Sequence, residues 1–310
     1  MPLKPAAKAY VASGSRRLVS PANQDDDHVT VSIAYYKCAN TLRPAVESIL
    51  NQTHPSLTLV VVNDGDEPPW NLLADINDPR LVCFDLQRNR GPYFAHAVAL
   101  NTTPDSYFLI QDADDWSEPH RLETLLHHLR TDGTAAAISA LQYHDHKGHE
   151  STIYFTKFQA RKRPSTARKM AGVSHHGLFR TDSLKAVGGY YAGFRIVYDS
   201  FLVNLLVLTG GVSFVNEPLY HYYYRGNSLM NAPKTGGRSK ANRQIVRQLE
   251  QMYNHAYRAY KQYSGRHIGY DLFCAKIRHI CKHHITPESK TALQIESNRL
   301  HELLTKAPQE

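Results

Sequence analysis

From residue 29 to about residue 130, short apolar runs alternate with stretches whose apolar residues fall at helical spacing. Val29-Thr30-Val31-Ser32-Ile33-Ala34-Tyr35 is β-branched and of strand length. Leu42, Ala45, Val46, Ile49 and Leu50 then recur at three- and four-residue intervals, which predicts a helix over 41–52. A second strand is predicted over 57–62, stopping at Asn63-Asp64-Gly65-Asp66. A third, over 81–86, leads into Arg88-Asn89-Arg90-Gly91-Pro92 and a helix to about Asn101. The fourth, 106–110, runs into Gln111-Asp112-Ala113-Asp114-Asp115-Trp116, with a helix from about Glu118 to Arg130. Short strands alternating with helices predict an α/β fold with a Rossmann-like, mostly parallel central sheet flanked by helices. Right-handed crossovers collect the polar strand ends on one edge, so Tyr35, Asp64, Arg88 and Asp112 are expected to line one cleft.

Past residue 134 the period changes. Strand-like pieces at 136–144 and 151–157 flank a turn at His146-Lys147-Gly148. Gly188-Gly189 breaks the chain before 196–208, a helix apolar nearly all round and so expected to be buried. One charge, Asp199, lies inside it, and a buried carboxylate needs a partner or a cavity. Residues 212–215 and 219–224 read as two strands, and 242–264 and 270–284 as helices of a C-terminal extension. Residues 1–27, polar and punctuated by Pro, are expected to form a disordered arm. The expected division is therefore an arm (1–27), a catalytic domain (28–233) and a helical C-terminal extension (234–310).

Composition narrows the class. With 42% hydrophobic and 21% charged residues among 310, the chain is globular and long enough for a substantial core. No apolar run reaches the ~20 residues of a bilayer span, so no transmembrane segment is expected. Residues 1–20 lack the apolar stretch of a secretory signal. Cys38, Cys83, Cys274 and Cys281 show no CxxC spacing and read as reduced, packed thiols. These features predict a cytoplasmic protein, with peripheral attachment to a membrane as a variant. The formal charge of +8 suits a nucleotide, a nucleic acid or a membrane surface without choosing among them. The basic stretch 161–169 is either a solvated loop or one that touches phosphates.

The acidic run is the main chemical signal. Three carboxylates within four residues repel one another, and desolvating them is costly unless a cation answers them. Asp-x-Asp at the end of a strand offers hard oxygen ligands to Mn²⁺ or Mg²⁺, which can in turn hold a diphosphate. Asp115 and Glu118 also have capping-box spacing, so Asp115 is assigned to the helix start.

Several segments then fall in one order: Val60-Val61-Val62-Asn63-Asp64-Gly65-Asp66, Asn89-Arg90-Gly91-Pro92, Gln111-Asp112-Ala113-Asp114-Asp115, and Val187-Gly188-Gly189-Tyr190 followed by Asp199. With them, residues 29–130 and 172–229 resemble the family 2 glycosyltransferases, nucleotide-sugar-dependent inverting enzymes of the GT-A fold. The resemblance implies that Asp64 binds the base imide of a uridine or similar nucleotide and that Ala34 and Tyr35 flank the base. It places Arg88, Asn89, Gly91 and Ala113 on the nucleotide-sugar side, Asp112 near ribose and metal, Asp114 as the direct metal ligand, and Asp199 as general base. The metal would be Mn²⁺ or Mg²⁺.

The departures are specific. Tyr198-Asp199 keeps one of the family's two acids on the catalytic helix, Asn63 replaces the first acid of the base motif, and His96 stands where Arg or Lys is frequent. Arg225 occupies the position of a histidine that is sometimes a metal ligand. Arg225 cannot bind a metal but can clamp a diphosphate. His221, nearby in sequence, is a candidate ligand or a packed structural residue. His175 and His176 fall where an acceptor-side loop begins and are assigned to acceptor or diphosphate. Adjacent histidines diverge on a regular element, so only one is expected to reach the site. The implied donor is a UDP-sugar, and the acceptor a hydroxyl of a carbohydrate, natural product, peptide or other molecule. Modified nucleic acid is an alternative acceptor, and a non-catalytic nucleic-acid-binding or structural homologue a further alternative. The C-terminal helices would cover the site, mediate a homo-oligomer or hold a large acceptor.

Overall fold

A computed structural model describes residues 10–11, 27–154, 169–170, 172–173, 175–226, 228–237 and 239–305. The chain begins with β1 (Tyr10–Val11) and β2 (Val29–Tyr35), then α1 (Ala39–Leu50), β3 (Leu57–Asn63), a 3₁₀ turn (Trp70–Leu73) and β4 (Leu81–Asp85). Next come α2 (Pro92–Thr102), β5 (Tyr107–Asp112), β6 (Trp116–Ser117), α3 (Arg121–Thr131), β7 (Ala136–His144) and β8 (Glu150–Ile153). The remainder is β9 (Gly177–Arg180), α4 (Thr181–Ala186), α5 (Tyr198–Thr209), β10 (Val212–Tyr223), α6 (Lys240–Ser264), α7 (Tyr270–Lys282) and α8 (Pro287–Thr305).

The strands form one sheet in the order β1-β4-β3-β2-β5-β9-β7-β10-β6, with β8 on β7. Strands β4, β3, β2 and β5 are mutually parallel, as the alternating pattern predicts. Beyond them β9 is antiparallel to both of its neighbours, β5 and β7. Side chains alternate across the sheet because successive strand residues point to opposite faces. Val60, Val62, Phe108 and Ile110 enter one apolar cluster with α2 and α5, while Val31, Ile33, Val61 and Leu109 enter another with α1 and α3. Leu249, Tyr253, Phe273, Ile277 and Leu300, from α6, α7 and α8, belong to the first of these clusters. The C-terminal helices thus share the core of the sheet.

Several elements differ from the sequence reading. Tyr10 and Val11, within the expected arm, pair with Cys83 and Val82. The two strands expected over 212–224 are one, with register shifts around Pro218, which has no N–H to give to the ladder. Helix α3 begins at Arg121 because Trp116 and Ser117 first pair with His221 and Tyr220. Helix α8 was not distinguished by pattern because its buried residues are only Glu296, Ser297 and Leu300. The strand expected over 151–157 extends to Ile153, its last residues lying outside the described ones, as does most of the basic stretch 161–169.

All four cysteines are buried and unpaired. Burial pushes the Cys38, Cys83 and Cys281 thiols up to about 12 and raises Cys274 as well, and thiols react as thiolates. The native protein is therefore expected to leave Ellman's reagent essentially unreacted over minutes, and all four thiols to titrate in urea. Rapid reaction of any one in the native state would contradict this packing.

Among the described residues, no helix is long and apolar enough to cross a membrane.

Candidate active site

Strand β5 delivers the acidic run to the carboxyl edge of the sheet, beside the end of β2, where Ala34 is paired with Asp112. The three acids have three different environments. Asp112 Oδ2 lies 2.9 Å from His176 Nε2. Burial would raise the Asp112 carboxyl, but the charge and hydrogen bond of His176 outweigh it and hold the group well below the usual range. Asp114 Oδ2 accepts from Arg225 Nε at 2.5 Å. Burial and then the neighbouring Asp112 push Asp114 upward, against the pull of Arg225. Asp115 is nearly inaccessible and accepts from Tyr220 Oη at 2.7 Å and Tyr223 N at 2.8 Å. It is therefore not a helix cap. Its two oxygens fasten the turn to β10, and burial followed by the charges of Asp114 and Asp112 raises it well above the usual range.

Beneath the run lies a fully buried cation. Arg121 donates to Gln111 Oε1 at 3.0 Å, Ser117 Oγ at 2.8 Å and the Ile110 carbonyl at 3.2 Å. Its guanidinium sits 4.6 Å from the Tyr220 ring centroid, and burial lowers its pKa to about 10.

Asp64, at the end of β3, is 2% exposed. It accepts from Arg90 N at 2.7 Å, Gly91 N at 2.8 Å and Asn89 Nδ2 at 2.9 Å, so it holds the 89–91 turn in shape. Burial, only partly offset by the Arg90 and Gly91 N–H groups, raises its carboxyl to about 6. These three donors engage both oxygens that the sequence reading assigned to the base imide. Asn63 is suited to its place as an amide: Nδ2 donates to Asp85 Oδ1 at 2.7 Å, which a carboxylate could not do. Gly65 has φ +73°, and an added Cβ would sit 2.3 Å from Asn89 N. Gly65→Ala is accordingly expected to displace the 88–91 turn and cost roughly 1–3 kcal/mol of stability, read from urea midpoints. An unchanged midpoint would show that the turn is not held as described.

Asp199 lies in the first turn of α5 and is half-buried, with Oδ1 accepting from Tyr93 Oη at 2.8 Å. The residue before the helix, Val197, has φ +66°, a left-handed conformation that is strained for a β-branched side chain. His175 donates or accepts through Nδ1 with Tyr190 Oη, and its ring lies 4.4 Å from that of His176. Both histidines are buried, and both reach Asp112. Residues 175–176 precede β9 in irregular backbone, where adjacent side chains need not diverge.

Other assigned residues lie elsewhere. Arg88 points outward and pairs with Glu288 at 2.5 Å. His221 bonds Glu118 Oε1 at 2.8 Å and His144 at 2.9 Å and stacks on Trp116 at 3.6 Å, as a packed structural residue does. Tyr35 and Ala113 are buried, their carbonyls accepting from Asp64 N and Thr41 Oγ1 at 2.8 and 2.9 Å. Sequence reasoning missed Arg121 and Tyr93. An Arg at the start of an amphipathic helix and a tyrosine among apolar residues carry no local signal of burial at a site.

Among the described residues, two groups could hold a divalent ion: Asp112, Asp114 and Asp115, and Asp112, His175 and His176, each with ligand atoms within 4.8 Å of one another. The mutual repulsion within the first and the imidazole donors of the second both suit a cation.

A mostly parallel sheet with this acidic carboxyl edge and flanking helices is the GT-A architecture. The chain belongs to glycosyl transferase family 2, whose profile matches residues 30–188, just over half of its length. It is 31% identical over 133 residues to Glycosyltransferase GlyA of Streptococcus pneumoniae, covering 42% of this chain and 19% of that one. It is 27% identical over 105 residues to the Escherichia coli β-1,3-glucosyltransferase WfaP, described as acting from UDP-Glc on α-D-GlcNAc-diphosphoundecaprenol, with 34% and 42% covered. The matches thus span less than half of these relatives. An uncharacterized glycosyltransferase of Nostoc is 25% identical over 73% of this chain and 74% of its own. Among solved structures, S. aureus TarS 1–349 in complex with UDP-GlcNAc superposes with a TM-score of 0.57 at 12% identity, covering 90% of each chain.

Proposed function

We propose that this chain transfers a sugar from a UDP-sugar to a hydroxyl acceptor with inversion, using Asp199 as general base. The observation that carries the reading is the pairing of a partly accessible carboxylate, Asp199 held by Tyr93, with the acidic edge at Asp112–Asp114 in a family 2 framework. The UDP-GlcNAc bound to TarS and the UDP-Glc of the WfaP description support uridine as the nucleotide.

Asp199 has one oxygen oriented by Tyr93 and the other without a hydrogen-bond partner among the described residues, and it would take the proton of the acceptor hydroxyl as the nucleophile attacks. Attack opposite the diphosphate inverts the anomeric carbon. Ala34 and Tyr35 would border the base, while Asp64 keeps Asn89, Arg90 and Gly91 in register with it. A divalent ion, for which Asp112 and Asp114 are candidate ligands, would supply Lewis-acid neutralisation of the leaving diphosphate. Arg225, part-exposed beside Asp114, is placed to add a second positive charge there.

A thermal-shift screen of nucleotide sugars tests the donor class. A UDP-sugar at 100 times its Kd should stabilise the fold by about 2.7 kcal/mol, seen as a rise in Tm. A rise with GDP- or CMP-sugars and none with UDP-sugars would replace uridine with another base.

A further inference from the structure

We infer that the hairpin of α6 and α7 is a docking surface for an anionic phospholipid membrane. From Lys240 to Lys282 the chain carries nine Lys or Arg against two acids, Glu250 and Asp271, which is +7 of its formal +8. The rest of the chain is therefore nearly neutral, and the positive field is local to these two helices. One side of the hairpin is fixed in the core by Leu249, Tyr253, Phe273 and Ile277. The other side carries the charge. Arg247, Arg258 and Lys261 are exposed at helical spacing along α6, and Arg266 and His267 are exposed at the turn between the helices.

Apolar surface lies among these cations. Between α6 and α7 runs a groove of about 490 Å³ walled by Ala259, Leu272, Ala275 and Ile280, with Arg258 and Lys276 on its rim. No carboxylate among the described residues lines it. Lys276 Nζ donates to Gln262 Oε1 at 2.7 Å, which keeps its charge at the rim. Leu272 is 51% exposed, and Tyr270, at the start of α7, is 42% exposed. Interfacial helices have this composition, because Lys and Arg heads meet lipid phosphates while apolar side chains enter the acyl boundary. A nucleic acid would satisfy the cations and leave Leu272 and the groove in water, so the membrane is the better match.

The test is co-sedimentation of the full chain with vesicles of phosphatidylcholine alone or with about 30% phosphatidylglycerol. Wild type should bind the acidic vesicles at least about tenfold more tightly, and about 0.5 M salt should release it. Arg258→Glu should weaken binding by about tenfold. Lys147→Glu, the same change of charge on the exposed turn between β7 and β8, should leave it within about twofold. Leu272→Ser should weaken it by about threefold or more, and the added indole of Leu272→Trp should shift its emission to the blue on acidic vesicles. All three positions are exposed, so these variants should keep the wild-type Tm. Equal loss in Arg258→Glu and Lys147→Glu, full binding by Leu272→Ser, or no blue shift would each overturn the inference. So would a wild type that binds duplex DNA, or nothing, without binding acidic vesicles.

Discussion

Asp199→Asn is expected to lower kcat by about 10³-fold, or about 4 kcal/mol of barrier, while leaving Tm and the KM for the donor nearly unchanged. The amide keeps the shape of the side chain and still offers an oxygen to Tyr93, so the bond between α5 and α2 survives. It cannot take a proton from an acceptor hydroxyl. The strained Val197 supports a special role for this turn, since a left-handed β-branched residue costs roughly 1–3 kcal/mol and persists only where the surroundings enforce it. Full turnover in a folded Asp199→Asn protein would reduce Asp199 to a structural partner of Tyr93.

Arg121→Met is expected to destabilise the fold by roughly 3–5 kcal/mol, measured from the guanidinium-chloride midpoint. Met fills much of the volume, so the loss is electrostatic and polar rather than steric. Removing the cation takes one donor from Gln111 Oε1 and one from Ser117 Oγ, leaving them their bond to each other, and takes positive charge away from Asp112 and Asp115. It also removes the stacking on Tyr220, the hydroxyl that holds Asp115. The acidic run is thus built on a buried cation. A change below about 1 kcal/mol would mean that neighbouring groups relax to replace it.

The parallel half of the fold was legible because its strands end in residues that terminate strands. Asn63-Asp64-Gly65 and Asn89-Arg90-Gly91 mark the carboxyl edge by composition alone. What escaped depends on contacts distant in sequence. Asp115 has the spacing of a cap, yet it binds Tyr220 and Tyr223, more than a hundred positions later. Asp64 reads equally as a base ligand or a turn holder until the backbone N–H groups of Arg90 and Gly91 are seen on it. His221 sits in an aromatic strand, and only its pairing opposite Trp116 places it against Glu118. Likewise, nothing local marks 175–176 as irregular backbone, which is what lets both imidazoles reach Asp112.

The most direct test of the central claim is release of UDP from a UDP-hexose, followed by a coupled assay, for wild type and Asp199→Asn side by side. The account predicts UDP release by the wild type, even with water as a poor acceptor, and a loss of about 10³-fold in the variant. A folded wild type that binds UDP-sugars but releases no UDP with any acceptor, or equal release by both proteins, would contradict it.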